Sequence, residues 1–485
     1  MKTLKNIGKI ALLSLALCGG TTSCNYLDVV PPEQASLPDA TKDPESTLGF
    51  LFSCYGGIRN PFDYQTVEAG ADEYVLPPLW NTGSQKITWD LNLPTNIADG
   101  WSWGSNYRFI GQCLLFLQQL PHARGVTDEQ KRAWAAEANF LLAYYHMVTL
   151  VAYGPCPITD TYIDQATPES EYNGRMHFDY VKDWICQKFD EVCEDGQLPA
   201  TRTGDEWGRA TSVMAKALKA RLLVYAASPL FNGSFPYKDW ENTNFETPGY
   251  GKELISLKYD RKKWEVAKAA CQEAITAAEA AGHKLFSLED AQSLYQQAGL
   301  PLPFVPFKSA EGGTADKDKE FMERVQLMRY VVTTRYKEGN RETIWGLANQ
   351  GTMIIGSLPH RVIKNNQGTW KSGYSGVSPT LNTVEHFYTE NGVPIEKDKQ
   401  FYPQSEWYQS AGVTDRSDII RLNTRREPRF YAWIAFDGGD MGSRIYGGQP
   451  LKLEMRNSEL HGYNPSLFNR DNCVTGYLSQ KFIEP

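Results

Sequence analysis

Apolar residues recur at intervals of three and four from residue 44 to about residue 285. This spacing places them on one face of an α-helix. The first stripe is Leu48, Leu51, Phe52 and Tyr55. Three longer stripes follow: Ala136, Phe140, Ala143, Met147 and Val151; Val213, Ala217, Ala220, Val224 and Ala227; and Trp264, Ala267, Cys271, Ala274 and Ala278. The pattern predicts a mainly α-helical protein whose helices approach closely through small residues.

Residues next to these stripes predict where the helices begin and end. Thr127 and Gln130 form a capping box, and Gly154 ends the helix that they start. Pro229 and Gly282 end the two helices that follow. Paired helices with an aromatic residue near the start and alanines later are typical of tetratricopeptide-like repeats. An irregular all-α domain is the alternative interpretation.

The pattern changes after about residue 290. Glycine, proline, asparagine and aromatic residues become more frequent, and the helical stripes become short. A chain of 485 residues also exceeds the size at which a single hydrophobic core stops growing. We therefore predict a loop-rich subdomain that lies on the helical scaffold.

The N-terminus predicts an export signal. Lys2, Lys5 and Lys9 form a basic region, and residues 10–20 are mostly apolar. This stretch is too short to cross a bilayer core of about 30 Å. Small residues and then Cys24 follow, an arrangement that resembles a bacterial lipoprotein signal in which the cysteine is acylated. A buried cysteine in a short helix is the alternative.

Charge and cysteine content narrow the possible partners. The formal net charge is −8, which argues against nucleic acid and against polybasic docking to a membrane. Nine cysteines are present. With Cys18 removed in the signal and Cys24 acylated, an odd number without pairwise spacing remains. We expect most of these to be buried apolar residues without a metal or redox role.

No catalytic or cofactor motif stands out. The sequence lacks G-x-S-x-G, a P-loop, G-x-G-x-x-G and H-E-x-x-H. The seven histidines are scattered and lack the spacing of a metal site. Nothing selects a glycosidase pair among the 57 acidic residues. We expect a protein that is not an enzyme and has no metal and no cofactor.

Several segments, taken in order, resemble the SusD/RagB family of outer-membrane nutrient-binding lipoproteins. They are CNYLDVVPPE, AEANFLLAYYHMVTLVAYGPCPI, AKALKARLLVYAASPLFNG, NRETIWGLANQ, GVSPTLNTVEHFYTENGVPI, RREPRFYAWIAFDG and TGYLSQKFIEP. The resemblance covers nearly the whole mature chain. Family members continue past the last of these segments, whereas this sequence stops at Pro485, so we expect either that the sequence is truncated or that terminal helices of the family are absent.

The resemblance implies a tetratricopeptide-like α-scaffold with a ligand-facing, loop-rich subdomain. It implies a signal peptide (1–23), a tether (24–40), an N-terminal SusD-like region (41–235) and a C-terminal RagB/SusD region (236–485). A lipid on Cys24 would anchor the protein at the outer surface of the outer membrane. There it would act as a lid over a TonB-dependent transporter and capture oligosaccharides, or peptides as some members do.

Aromatic residues supply the candidate ligand site, because the apolar C–H faces of sugar rings stack on flat side chains. The chain has 13 Trp and 26 Tyr. We interpret Trp103, Tyr107, Trp134, Trp184 and Trp264 as structural. A binder of neutral glycans needs exposed Trp and Tyr on loops, near Asn, Asp or Arg. The candidates are Trp80, Trp89, Trp101, Trp370 and Tyr374, with Asp72 as an acceptor for sugar hydroxyls. For the aromatics, structural or partner-facing roles are the alternative; for Asp72, it is capping a turn.

We therefore predict a cell-surface lipoprotein that binds oligosaccharide and delivers it to a TonB-dependent transporter. A peptide or glycopeptide binder of the same uptake type is one alternative. A helical glycoside hydrolase is another, and a structural partner of the transporter without ligand affinity is a third.

Overall fold

The structure is a computed structural model that describes residues 37–58, 70–89, 93, 103–164, 166–307, 315–347, 352–444 and 450–484. The α-helices are α1 (Pro44–Tyr55), α2 (Gly83–Thr88), α3 (Trp103–Gln119), α4 (Asp128–Tyr153), α5 (Phe178–Glu191), α6 (Ser212–Ala227), α7 (Lys262–Ala280), α8 (Leu288–Gln297), α9 (Ala315–Thr333), α10 (Thr352–Ser357), α11 (Leu381–His386), α12 (Pro428–Trp433) and α13 (Pro465–Phe468). The 3₁₀ helices are Leu37–Thr41, Pro78–Trp80, Leu120–His122, Glu169–Glu171, Glu194–Gly196, Gly204–Glu206, Pro229–Phe231, Tyr336–Glu338, Gln404–Glu406 and Arg421–Asn423.

The strands are short and form four antiparallel pairs. They are β1 (Tyr74–Val75), β2 (Ile363–Lys364), β3 (Trp370–Lys371), β4 (Ser378–Pro379), β5 (Ile434–Ala435), β6 (Asp440–Arg444), β7 (Pro450–Lys452) and β8 (Leu478–Ser479). The pairs are β1–β4, β2–β3, β5–β8 and β6–β7. In the first pair Tyr74 lies opposite Pro379 and Val75 opposite Ser378, so the segment before α2 is joined to the C-terminal half.

Helices α3 to α7 form a scaffold in which each helix packs against the next one in the chain. Helix α1 packs against α3 and α4. This succession of packed neighbours confirms the prediction of a mainly α-helical, tetratricopeptide-like scaffold.

The predicted boundaries of α4 are also confirmed. The backbone N–H of Gln130 donates to Thr127 Oγ1 over 3.2 Å, and the N–H of Thr127 donates to Gln130 Oε1 over 3.0 Å. The helix ends at Tyr153, where Gly154 has a φ of +68° that favours glycine.

Three residues of the predicted stripes do not face the core. Phe52 is 45% exposed, Val224 41% and Trp264 42%, so the structural role expected for Trp264 is wrong. The buried face of each helix is rotated away from them: α1 buries Phe50, Leu51 and Cys54, α6 buries Leu222, Leu223, Ala226 and Ala227, and α7 buries Ala267, Ala270, Ala274 and Ala278. A stripe of apolar residues predicts that a segment is helical, but packing against the neighbouring helices determines which face of the helix is buried.

The C-terminal half contains one long helix that the stripes did not predict. Helix α9 has 19 residues and packs against α8 and α12. Its buried residues include Glu323, Gln326 and Arg329, so its inward face has no continuous apolar pattern. The short stripes after residue 290 therefore do not indicate this helix, because its buried face is partly polar.

Trp345 connects the two halves of the molecule. Its indole N–H donates to the carbonyl of Gly208 over 2.9 Å. Its ring lies edge-on to Phe140 and Tyr144 of α4, with centroids 5.4 Å and 5.2 Å away. The loop-rich half is therefore packed directly on the helical scaffold.

None of the described helices combines the length and the apolar character that crossing a bilayer requires. All seven cysteines in the described ranges are free, and five of them are buried. Within the same ranges, no group of three or more His, Cys, Asp or Glu side chains could hold a metal ion.

Candidate functional site

Two of the aromatic candidates, Trp80 and Tyr374, lie together. Their ring centroids are 6.2 Å apart and the rings are nearly perpendicular, at 86°. The Trp80 indole lies directly on the backbone of Gly376, where a Cβ atom would come within 2.2 Å of the ring. Because only glycine leaves that space, the position of the indole is fixed by close contact.

Asp471 holds the polar edge of Trp80. The indole N–H donates to Asp471 Oδ1 over 2.7 Å, although the two residues are 391 positions apart in the sequence. Arg470 Nε donates to the same oxygen over 3.1 Å. The Asp471 backbone carbonyl lies 2.7 Å from His360 Nε2, so this ring nitrogen carries the proton. The hydrogen bonds therefore link Trp80, Asp471 and His360 in one chain.

His360 is packed as well as hydrogen-bonded. Its ring stacks on Phe468 with centroids 3.9 Å apart and an angle of 12°. Burial lowers the pKa of His360, so the imidazole is neutral at neutral pH. A neutral ring can donate from Nε2 to the carbonyl of Asp471 without burying a charge.

Trp370 lies on a hairpin next to these residues. Strands β2 and β3 pair so that Lys364 lies opposite Trp370. The turn between them is closed by Asn365, whose side-chain oxygen accepts from the N–H of Thr369 over 2.8 Å, and by Gly368 with a φ of +81°. The hairpin holds the half-exposed Trp370 ring beside the guanidinium of Arg361, whose Cζ is 6.0 Å from the ring centroid.

Left-handed backbone is concentrated beside these side chains. Within the described ranges, four of the seven non-glycine residues with positive φ are Asn81 (+49°), Arg361 (+52°), Ser375 (+49°) and Asn469 (+49°). Such conformations persist only where the surroundings fix them, and they often mark functional sites. Ser375, which is fully buried, accepts the backbone N–H of His360 over 2.9 Å.

We call this cluster the Trp80 site. It consists of Trp80, His360, Arg361, Trp370, Tyr374, Phe468 and Asp471. The rings of Trp80, Trp370 and Tyr374 are half-buried, so part of each remains accessible. Accessible aromatic faces with carboxylate and guanidinium groups at their edges can bind an amphipathic ring by stacking and hydrogen bonding.

The remaining candidates are placed differently. Asp72 is exposed and connects to the start of α11: its carboxylate accepts from Asn382 Nδ2, and its backbone carbonyl accepts from Thr380 Oγ1 over 2.6 Å. Trp89 caps the C-terminus of α2 and is 45% exposed. Trp101 and Cys24 lie outside the described residues.

Sequence reasoning missed His360, Arg361, Phe468 and Asp471. Phe468 and Asp471 lie in a short segment, NPSLFNRDN, that has no helical or strand period. Its only local signals are an Asn-Pro turn start and the later Asn469, and these predict a loop without assigning it a role. Contacts with Trp80 and His360 depend on the tertiary fold, so no local pattern could have predicted them.

A cavity of about 950 Å³ lies at the C-terminal end of α4. Its aromatic side chains pack mainly on one another. Trp240 stacks on Phe235 with centroids 5.6 Å apart, and Arg175 lies 6.0 Å from the centre of the same indole. Since one face of Trp240 is covered by Phe235, the Trp80 site is the stronger candidate for stacking a ligand.

Comparisons with known proteins place these residues in context. The model of the SusD family matches residues 328–485, a range that includes every residue of the Trp80 site except Trp80 itself. The chain is similar to the solved protein BT4246, with 54% sequence identity and a TM-score of 0.83. That alignment covers 92% of this chain and 73% of BT4246.

Two more distant structures share the fold. A SusD-like protein from Bacteroides fragilis, BF3747, has 18% identity and a TM-score of 0.62, covering 93% of this chain and 71% of its own. A SusD-like carbohydrate-binding protein from the same organism, BF0978, has 15% identity and a TM-score of 0.53. That alignment covers 90% of this chain and 67% of BF0978. No curated protein matches this chain in sequence.

Proposed function

The chain belongs to the SusD family, and from this premise we propose that it is a cell-surface lipoprotein that binds oligosaccharide and delivers it to a TonB-dependent transporter. The Trp80 site is the proposed place of capture. Residues 1–23 would be the signal peptide, a lipid on Cys24 the anchor, and residues 24–40 the tether.

One observation carries the proposal: the accessible rings of Trp80 and Tyr374 are held in a fixed geometry by Asp471 and by contact with Gly376. A sugar ring offers an apolar face and several hydroxyl groups. The face would stack on Trp370 or Tyr374, while hydroxyl groups would bond to Asp471 and Arg361. Preorganised aromatic rings bind at a lower entropy cost than mobile ones.

The likeness to BF0978 supports the same conclusion. That protein is described as carbohydrate-binding and shares the fold of this chain. A tetratricopeptide-like scaffold needs no catalytic group to capture a ligand, so the proposed function requires only binding and release.

Calorimetric titration of the full chain with a panel of neutral and acidic oligosaccharides and peptides tests the proposal. We expect at least one oligosaccharide to bind, and Trp370→Ala to weaken that binding about thirtyfold, the effect of truncating a central aromatic contact of about 2 kcal/mol. Trp264→Ala is the matched control, because Trp264 is also partly exposed but lies on α7.

Each alternative predicts a different result. Binding of peptides alone would contradict the choice of ligand, and shortening of the bound oligosaccharide would favour a hydrolase. Absence of any ligand would favour a purely structural partner of the transporter. Co-purification of a transporter with the wild-type chain would test delivery. Loss of the Cys24→Ser variant from the membrane fraction would test anchoring.

A further inference from the structure

We propose, on the basis of the glycan-binding function above, that the oligosaccharide taken by the Trp80 site is acidic. Its anionic group, a carboxylate or a sulfate ester on a sugar ring, would pair with Arg361 and Lys364 while the ring stacks on Trp370, and Lys371 would add to the positive charge of the same hairpin.

The segment that carries the hairpin is positive, whereas the chain as a whole is negative. The whole chain has a formal net charge of −8 and 57 acidic residues in 485. The 33 residues from 352 to 384 contain Arg361, Lys364 and Lys371 and no Asp or Glu. The segment 74–89, which provides Trp80, also has no acidic residue and includes Lys86. A positive region on a negative protein attracts anions selectively.

These three cations also lack the partners that other basic residues have. Among the residues that the structure describes, Arg361, Lys364 and Lys371 form no ion pair with a carboxylate. Elsewhere in the C-terminal half, Arg416 pairs with Asp440 over 2.6 Å and Arg425 with Glu390 over 2.8 Å.

The fold directs two of these cations, Lys364 and Arg361, toward one aromatic ring. Lys364 lies opposite Trp370 in the hairpin, with its Nζ 5.7 Å from the ring centroid. The guanidinium of Arg361 lies between Trp370 and Phe468, 6.0 Å and 5.7 Å from their centroids. A sugar ring bound at Trp370 would therefore have cationic groups close to it, within reach of its carboxylate or sulfate.

The position of Arg361 is also fixed by its backbone. Its φ of +52° is unusual for a long side chain, and its N–H donates to Ser372 Oγ over 2.9 Å. The guanidinium donates in addition to the backbone carbonyl of Glu459. A planar guanidinium held in this way still offers N–H groups that match the geometry of a carboxylate or sulfate.

Two pairs of probes, identical except for charge, test the inference. The first pair is oligogalacturonate and its methyl ester, and the second is κ-carrageenan oligosaccharides and their desulfated form. We expect the acidic member of at least one pair to bind the full chain at least tenfold more tightly than its neutral counterpart. Raising NaCl from about 50 mM to about 500 mM should remove most of that difference, because salt screens exposed charges. The pair that responds distinguishes carboxylate from sulfate.

The double variant Lys364→Gln/Lys371→Gln should weaken binding of the acidic probe about tenfold and leave any binding of a neutral sugar unchanged. Both lysines are exposed, so the variant should keep the melting temperature of the wild type. The double variant Lys262→Gln/Lys268→Gln removes two exposed lysines from α7 and should bind like the wild type.

Two results would overturn this inference and leave glycan binding intact. The first is equal affinity for the acidic and neutral members of each pair. The second is that neither acidic probe binds while a neutral glycan of the panel does. Binding of no sugar at all would instead contradict the proposed function itself.

Discussion

The helical scaffold and the Trp80 site are stabilised in different ways. The scaffold buries apolar stripes between consecutive helices, and its one fully buried carboxylate, among the described residues, is Glu137, which two arginines neutralise. The Trp80 site has little regular structure. It depends on side-chain hydrogen bonds, close ring contacts and left-handed residues drawn from three distant parts of the chain. A rigid scaffold made by local rules thus supports a site made by non-local contacts.

The largest expected loss of stability comes from removing a buried charge in the scaffold, and removing an exposed charge is the comparison. The carboxylate of Glu137 accepts from Arg202 over 2.9 Å, from Arg209 over 2.6 Å and from the Tyr55 hydroxyl over 2.6 Å. Glu137→Gln should lower the free energy of unfolding by about 3–5 kcal/mol, because Arg202 and Arg209 lose their buried counter-charge and keep only the exposed Glu206. Urea unfolding measures this. Glu273→Gln removes an exposed partner of Lys216 and should cost less than about 1 kcal/mol; equal losses for the two variants would contradict the distinction.

The scaffold should also respond to acid through His146. Burial lowers the pKa of His146 to about 4, although the hydrogen bond from Nδ1–H to the Leu142 carbonyl opposes this shift. The other ring nitrogen, Nε2, accepts the N–H of Thr159 and so is unprotonated. Below pH 6.5 the unfolded chain binds a proton that the folded chain excludes until about pH 4, so stability falls as the pH drops through this window. Between pH 7 and pH 5 this group should remove about 2 kcal/mol.

Replacing His146 isolates its contribution. His146→Gln lowers stability at both pH values, but its free energy of unfolding should fall by about 2 kcal/mol less than that of the wild type between pH 7 and pH 5. Parallel pH profiles for the two proteins would show that His146 is not the source.

Alanine substitutions at two glycines, one beside the Trp80 site and one in the scaffold, allow a direct comparison of the two regions. Gly376→Ala would place a Cβ within 2.2 Å of the Trp80 ring, so we expect a loss of about 1–3 kcal/mol together with weaker glycan binding. Gly111→Ala lies in α3 with no neighbour within 4 Å of the added atom and should raise stability by up to about 1 kcal/mol. Thermal melts of both variants check the signs, and a neutral Gly376→Ala would contradict the fixed position of Trp80.

The smallest expected effect concerns the left-handed backbone beside Phe468. Asn469 has a φ of +49° and an exposed side chain. Asn469→Gly should change stability by less than about 1 kcal/mol, whereas Asn469→Val should cost about 1–2 kcal/mol because a β-branched residue resists this conformation. Chemical denaturation separates the two, and indifference to both would mean that the turn is not strained.

What could be predicted from the sequence follows the same division. The start and end of α4 depend on Thr127, Gln130 and Gly154, which are local signals, and the structure has them as predicted. Helix α9 has buried polar residues such as Glu323 and Arg329, so the apolar period that reveals helices is missing there.

Some residues of the Trp80 site could be predicted from the sequence and others could not. Loop position selected Trp80, Trp370 and Tyr374 as candidates, and the structure brings Trp80 and Tyr374 together. Their polar partner Asp471 is 391 residues from Trp80, and only the folded chain connects them. Composition and period describe neighbours along the chain, whereas a binding site is defined by neighbours in space.

The most direct test of the central claim is a crystal structure of the full chain with the tightest-binding oligosaccharide of the panel. We expect a sugar ring stacked on Trp370 or Tyr374, with an anionic group within reach of Arg361 or Lys364. A sugar bound elsewhere, for example in the cavity beside Trp240, with the Trp80 site empty, would contradict it.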